Sequence, residues 1–196
     1  IFLYITKCQC MNKALILSLF MSISNIVIAD FVKLSSDGEI LDFENSNWSC
    51  VLDQKTSLVW EVKSEKEGLQ YTLNTYTWFD GETGRGDGMY SKNCFWGESC
   101  NTQSYIDDIN EAQLCNYTNW RLPTRDELKT IINYYSDNDI LIDLAFFPNT
   151  QKDTYWTSMT AKDNSSLAYE IPFFYGGSIV REKSIDTYIR LVRSAD

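Results

Sequence analysis

Residues 120–128 read Trp120-Arg121-Leu122-Pro123-Thr124-Arg125-Asp126-Glu127-Leu128. Thr124 followed three positions later by Glu127 is a capping box. The Thr124 hydroxyl accepts from the Glu127 N–H, and the Glu127 carboxylate reaches back to the Thr124 N–H. Pro123 just before the box strengthens the start signal. Leu128, Ile131, Ile132 and Tyr135 then recur on one face, which predicts a helix from about Arg125 to Tyr134 that stops before the Ser136-Asp137-Asn138-Asp139 turn. Upstream, Trp120 and Leu122 are assigned to the core, and Arg121 to a carboxylate or to backbone carbonyls. Each residue of the string thus has a structural role.

Working outward, Tyr105, Ile109 and Ala112 recur at helical spacing with Ile106 beside them, so a second helix is expected from about Thr102 to Leu114. The remaining patterned segments are short and rich in β-branched and aromatic residues: Ser57–Val62, Gln70–Trp78, Thr154–Met159, Leu167–Phe174, Ser178–Glu182 and Thr187–Val192. Leu167–Phe174 and Ser178–Glu182 form a hairpin through Tyr175-Gly176-Gly177. Two helices among antiparallel strands, without regular crossovers, give an α+β fold.

The 196 residues are 44% apolar and 22% charged, with only 9 glycines and 3 prolines, a single-domain composition that is neither collagenous nor disordered. Histidine is absent, which removes the commonest general base, the Ser-His and Cys-His nucleophile pairs and every His-containing zinc site. The stretch from Met11 reads as a signal peptide, with Lys13 as its basic end, an apolar run and cleavage after Ala29. The run, broken by Ser22, Ser24 and Asn25, falls short of the roughly 20 apolar residues of a spanning helix, so the protein is not expected to be membrane-embedded. Residues 1–10 are read as an upstream extension from a mis-called start, in which Cys8 and Cys10 carry no structural weight. Residues 30–196 are read as one exported domain, periplasmic, at the cell surface or secreted. Removing residues 1–29 takes away Lys7 and Lys13 and no acid, leaving 15 basic against 27 acidic side chains, a balance of −12. That charge repels phosphate backbones, so nucleic acid is not a partner.

Export to an oxidising compartment makes two disulfides of Cys50, Cys94, Cys100 and Cys115. A zinc site of four thiolates is the rival, and no C-x-x-C spacing supports it. A helix between Cys100 and Cys115 would hold their ends about 20 Å apart, against the roughly 7 Å limit of a bridge, so those two do not pair. Cys94–Cys100 with Cys50–Cys115, or Cys50–Cys100 with Cys94–Cys115, remain. The first is preferred, because Cys94–Cys100 closes a short loop around Phe95-Trp96-Gly97 while Cys50–Cys115 pins an early strand to the helix end.

Several strings resemble an exported bacterial domain of unknown function, named for the C-terminal domain of the Legionella collagen-like protein. They are Trp48-Ser49-Cys50-Val51-Leu52-Asp53, Thr56-Ser57-Leu58-Val59-Trp60-Glu61, Thr75-Tyr76-Thr77-Trp78, Cys100-Asn101-Thr102, Leu114-Cys115, Trp120–Thr124 with Glu127-Leu128, Phe147-Pro148-Asn149-Thr150, Tyr155-Trp156-Thr157-Ser158 and Arg190-Leu191-Val192-Arg193. Arg121–Thr124 with Glu127 is also similar to the core motif of formylglycine-generating sulfatase modifiers. The resemblance implies a C-type-lectin-like architecture: a twisted antiparallel sheet with two helices and long loops, stapled by disulfides. Relatives on collagen-like stalks resemble adhesins for sulfated polysaccharides, but this chain has no Gly-X-Y stalk and no basic balance, so that partner does not carry over. Family members often have a cysteine where this chain has Leu191, which favours Cys50 as the partner of Cys115. The copper-holding late cysteine pair of the formylglycine enzymes has no counterpart after Cys115, and the sequence calls for no cofactor.

The segment from Phe79 to Cys100 lacks periodicity and carries Gly81, Gly84, Gly86 and Gly88, the composition of a long loop of the kind that carries binding function. Its candidate ligand contacts are Asp80, Asp87, Tyr90 and Trp96. Tyr90 or Trp96 would stack on a sugar or anchor a protein, and Asp80, Glu82 and Asp87 could offer oxygens to calcium. Arg85-Gly86-Asp87 spells an integrin tripeptide and is discounted as chance. Asp137, Asp139 and Asp143 lack the glycine and terminal Glu of a calcium loop and read as a capped turn. No spacing among the 27 acids singles out a catalytic pair, and most of them are assigned to solvated surface. Trp60, Tyr155 and Trp156 are assigned to the core. The leading expectation is a non-enzymatic binding module that engages a glycan or protein through residues 79–100. A carboxylate enzyme such as a glycoside hydrolase, and an assembly subunit that packs on copies or partners, are the alternatives.

Overall fold

The capping box forms as the sequence requires. The Glu127 N–H donates to Thr124 Oγ1 (3.2 Å) and the Thr124 N–H to Glu127 Oε2 (2.8 Å). Arg121 adds a fork, with Nη1 to Oε2 at 2.8 Å and Nη2 to Oε1 at 2.6 Å. The same string ties the helix to two sheets. The Arg121 and Val192 backbones exchange hydrogen bonds of 3.0 and 2.9 Å, and the Pro123 carbonyl accepts from the Ser158 N–H at 2.8 Å.

The protein, seen in a computed structural model, is described over residues 30–87, 94 and 99–195. Its elements in chain order are β1 (Phe31–Leu34), β2 (Cys50–Asp53), β3 (Leu58–Glu61), α1 (Thr102–Glu111), α2 (Arg125–Thr130), β4 (Thr154–Ala161), β5 (Asn164–Pro172), β6 (Ile179–Glu182) and β7 (Val192–Ser194), with a 3-10 turn at Leu114–Asn116. They form two antiparallel sheets, β1-β2-β3-β7 and β4-β5-β6. The architecture is therefore mixed α and β, with two helices among the described residues. No helix among those residues is long and apolar enough to cross a membrane.

All four residues of β3 are buried. Val59 faces one apolar cluster, with Tyr105 and Ile109 of α1, Trp78, Trp120 and Trp156. Leu58 and Trp60 face another, with Leu128 of α2, Phe147, Tyr155 and Phe173. A strand covered on both faces reads as a continuous apolar run, not an alternation. The same burial makes β2 hard to see in the sequence, and β2 carries Cys50. Disulfides join Cys50 to Cys115 (Cα–Cα 6.5 Å) and Cys94 to Cys100 (5.6 Å), the preferred connectivity.

Four expectations need correction. Helix α1 ends at Glu111, and Ala112 is exposed, because Gln113, Cys115 and Asn116 take positive φ of 52°, 52° and 64° and turn the chain so that Cys115 meets Cys50. Helix α2 ends at Thr130. Beyond it the Asn133 N–H donates to the Leu141 carbonyl, and Tyr135 is 95% exposed instead of extending the buried face. Gln70–Trp78 is not a strand: its amides turn locally, Tyr71 onto Gly68 and Asn74 onto Tyr71, and touch neighbours only at isolated bridges such as Tyr76 with Thr187. Its aromatic residues Tyr76 and Trp78 are nevertheless core. Of Thr187–Val192 only Val192 joins a ladder, while Thr187 and Tyr188 make single bridges. The β5–β6 hairpin forms, with Glu170 opposite Ile179 and Leu167 opposite Glu182.

Candidate functional site

The loop from Trp78 to Asp87 stands on a buried base. The Trp78 indole is 1% exposed, and its Nε1 donates to the Thr157 carbonyl at 2.8 Å. Asp80 folds the tip: Oδ1 accepts from the N–H groups of Glu82 (3.0 Å) and Thr83 (2.6 Å), and Oδ2 from the Thr83 hydroxyl (3.1 Å). The returning strand lies so close that a Cβ on Gly84, at φ +103°, would come within 2.2 Å of the Trp78 carbonyl oxygen, so only glycine fits there. The start of α1 secures the stems. Thr102 Oγ1 accepts from the Phe79 N–H and donates to the Phe79 carbonyl, and Asn101 Nδ2 donates to the Gly86 carbonyl. Asn101 Oδ1 meanwhile caps α1 by accepting from the Ser104 N–H (2.9 Å).

Beneath the tip lies Lys183, 3% exposed. Its ammonium sits 3.7 Å from the centre of the Trp78 ring and donates to Thr83 Oγ1 (3.0 Å) and Thr160 Oγ1 (2.9 Å). Among the described residues no carboxylate lies within ion-pairing distance of it. Burial lowers its pKa, against the opposing pull of the Asp80 charge. Asp80 is itself held below the usual carboxylate range: partial burial opposes this, but the N–H groups of Thr83 and Glu82, the Thr83 hydroxyl and Lys183 outweigh it.

A cleft opens on each side of this loop. One, of about 370 Å³, is lined by Trp78, Asp80, Ile106, Arg121, Leu122 and Ser158. The other, of about 450 Å³, is lined by Thr83, Arg85, Ser165, Ser166, Lys183 and Ser184. Both offer fixed hydrogen-bonding groups, the first over an apolar wall and the second in a ring of hydroxyls. In the first, Arg121 is already engaged by the two Glu127 oxygens at 2.8 and 2.6 Å, and these hydrogen bonds raise its pKa.

The four candidate contacts fall unevenly on this frame. Asp80 and Asp87 are exposed on the loop, but Asp80 spends both oxygens on its own turn and Asp87 Oδ1 accepts from Arg85 Nε at 2.6 Å. The Arg85-Gly86-Asp87 triplet thus closes on itself. Tyr90 and Trp96 lie outside the described residues. Among the described residues no group of three or more acidic or cysteine side chains could hold a metal ion. Asp139 pairs with Lys152 at 2.9 Å, and Asp143 Oδ1 accepts from the Ala145 N–H, which makes that segment a turn. Sequence reasoning missed Lys183 and the Ser165-Ser166 pair. Polar residues on a hairpin carry no periodic signal, and the approach of β5 and β6 to the loop is a tertiary fact.

Two glutamates depart from the solvated-surface assignment. Glu61 is fully buried. It accepts from Lys63 Nζ (2.7 Å), the Leu191 N–H (2.9 Å) and the Tyr105 hydroxyl, while Arg190 Nη1 bonds its backbone carbonyl at 2.6 Å. Burial lowers the Lys63 pKa and raises that of Tyr105. Every oxygen of Glu61 is committed, so the cluster holds β3 to the C-terminal segment. Glu170 is also fully buried, with Oε2 on Arg181 Nε (2.8 Å) and Oε1 without a partner among the described residues. Burial pushes its carboxyl up, against Arg181.

Comparison with curated proteins gives no match. The model of one family, described as the Lcl C-terminal domain, matches residues 49–193. That span runs from the residue before β2 into β7 and takes in both helices, the loop, the two clefts and the Trp120–Thr124 string, and the chain belongs to the Lcl C-terminal domain family.

Proposed function

We propose that this is an exported, non-enzymatic binding module with a C-type-lectin-like architecture, which takes a glycan or protein ligand at the Trp78–Asp87 loop and the clefts beside it. The observation that carries the reading is the construction of the loop. A buried cation, a buried indole and an obligatory glycine hold a surface turn between two clefts, one over an apolar wall and one ringed by hydroxyls. Rigid presentation lowers the entropic cost of binding. The acidic balance of −12 after residue 29 favours neutral or cationic ligands over sulfated ones. Trp96, which lies in sequence between the bridged Cys94 and Cys100, is the aromatic anchor this reading calls for. A carboxylate hydrolase is the second reading, favoured by the raised Glu170 carboxyl, but Glu170 lines neither of these clefts.

The test is a glycan and protein array probed with the exported chain, followed by Trp96→Ala. Loss of about 2 kcal/mol or more of binding, with stability within about 1 kcal/mol of wild type, supports the loop. Unfolding on Trp96→Ala makes the indole core, and no change in either quantity puts the ligand elsewhere. Turnover of a glycoside panel that Glu170→Gln abolishes would favour the hydrolase.

A further inference from the structure

A third cleft lies away from the loop, between the start of β1 and the segment after α2, with a volume of about 510 Å³. Its lining combines three kinds of group. Ile131 and Phe146 are buried apolar residues, and Phe146 packs on Phe31 at 5.4 Å and on the 57%-exposed Phe43 at 5.7 Å between ring centres. Asp30, Asp53 and Asp143 also line it, against one cation, Lys55, which is already paired with Asp30 at 2.6 Å. The third kind is Tyr135, 95% exposed, a large aromatic ring left in water.

We propose that this cleft receives a lysine or arginine side chain presented by a protein partner. The complementarity is specific to that chemistry. Such a side chain has a long apolar stem, which Ile131 and Phe146 would cover, and a cationic tip, which the excess of carboxylates attracts and the face of Tyr135 stacks on. Asp53 accepts from the Thr56 hydroxyl and the Lys55 N–H. Asp143 uses Oδ1 for the Ala145 N–H, which leaves Oδ2 as the acceptor for the incoming cation. An anionic or uncharged apolar partner would leave Asp143 Oδ2 without a partner on desolvation, which is unfavourable. The inference is independent of the loop reading.

The test uses the exported chain and a fluorescein-labelled peptide, Gly-Arg-Gly-Lys-Gly-Arg, with its Gln-for-Arg/Lys analogue as the neutral control, read by anisotropy at about 0.15 M salt, where screening limits long-range attraction. The basic peptide binds and the neutral one does not. Tyr135→Ala and Asp143→Asn each weaken binding by about 5-fold or more, the size of a lost aromatic or charged contact. Asp163→Asn, the same charge change on the exposed β4–β5 turn, leaves it within about 2-fold. Asp143→Asn keeps the acceptor for Ala145, and Tyr135 touches no core, so both variants fold. Equal effects at Asp143 and Asp163 would mean diffuse attraction and overturn the proposal, as would no binding by wild type. Loss on Asp80→Asn with none on Tyr135→Ala would move the basic ligand to the loop.

Discussion

Glu127→Gln isolates the charge in the motif that organises the fold. Glutamine can still accept from the Thr124 N–H, so the capping box survives in shape, but the ionic fork from Arg121 does not. The Arg121 guanidinium, with partial burial opposing it and the Thr124 N–H assisting, holds the Glu127 carboxyl down to about 2 from its ordinary 4.5. At about 1.4 kcal/mol per pH unit that difference sets a ceiling of roughly 3 kcal/mol. The Arg121 and Glu127 side chains are 42% and 23% exposed, and solvent screening reduces the contribution to about 1 kcal/mol. A depressed folded-state pKa stabilises above the unfolded value and loses that stabilisation as pH falls through the folded value. Wild type should therefore exceed Glu127→Gln by about 1 kcal/mol at pH 7 and by less at pH 3, the gap closing as pH falls through about 2. Urea unfolding followed by tryptophan fluorescence at a series of pH values gives the gap directly. A gap that stays constant from pH 7 to pH 3, or widens on acidification, refutes the reasoning.

Thr124→Ala removes the hydroxyl cap and should destabilise by about 1 kcal/mol, as thermal melts would show. Trp60→Ala and Trp156→Ala empty fully buried sites and should each cost about 3–5 kcal/mol, whereas Tyr135→Ala should stay within about 0.5 kcal/mol. Gly84→Ala forces a Cβ against the Trp78 carbonyl; a cost of about 1–3 kcal/mol in denaturant titration, together with lost array binding, is expected if the loop is the recognition surface. Non-reducing peptide mapping should find Cys50–Cys115 and Cys94–Cys100 with an N-terminus at Asp30, and a Cys100–Cys115 peptide would contradict α1.

The capping box was legible because Thr124 and Glu127 are three positions apart, and a carboxylate partner for Arg121 was one of two options because Glu127 is six positions away; Trp120 and Leu122 were legible as core from their apolar character alone. The β5–β6 hairpin was legible because two strand-like runs flank a short Tyr175-Gly176-Gly177 turn. The ends of both helices were not. Cys115 is drawn to Cys50 and the Asn133 amide to Leu141, and neither partner is local. Gln70–Trp78 has strand composition without strand pairing, since β-propensity reports a half-buried surface and not a ladder. Within the candidate site the sequence marked the loop by its glycines, yet the residues that fix it, Lys183, Thr102 and Thr157, come from three distant segments. Glu61 and Glu170 looked like any other acids, because burial of a charge is decided by tertiary neighbours.

The pairing of β3 with β7 has a consequence for the order of events during synthesis. Arg190 meets the carbonyl of Glu61 across a sequence separation of 129, and the Glu61 carboxylate takes the Leu191 N–H. A chain emerging N-terminus first therefore holds β3 with one side open, and the Glu61 carboxylate without the Leu191 amide, until residues 190–194 have been made. Contacts so distant along the chain slow folding and make it cooperative. A growing polypeptide of this sequence cannot complete that sheet until residues 190–194 arrive, and a stop before Arg190 leaves β3 without its second neighbour.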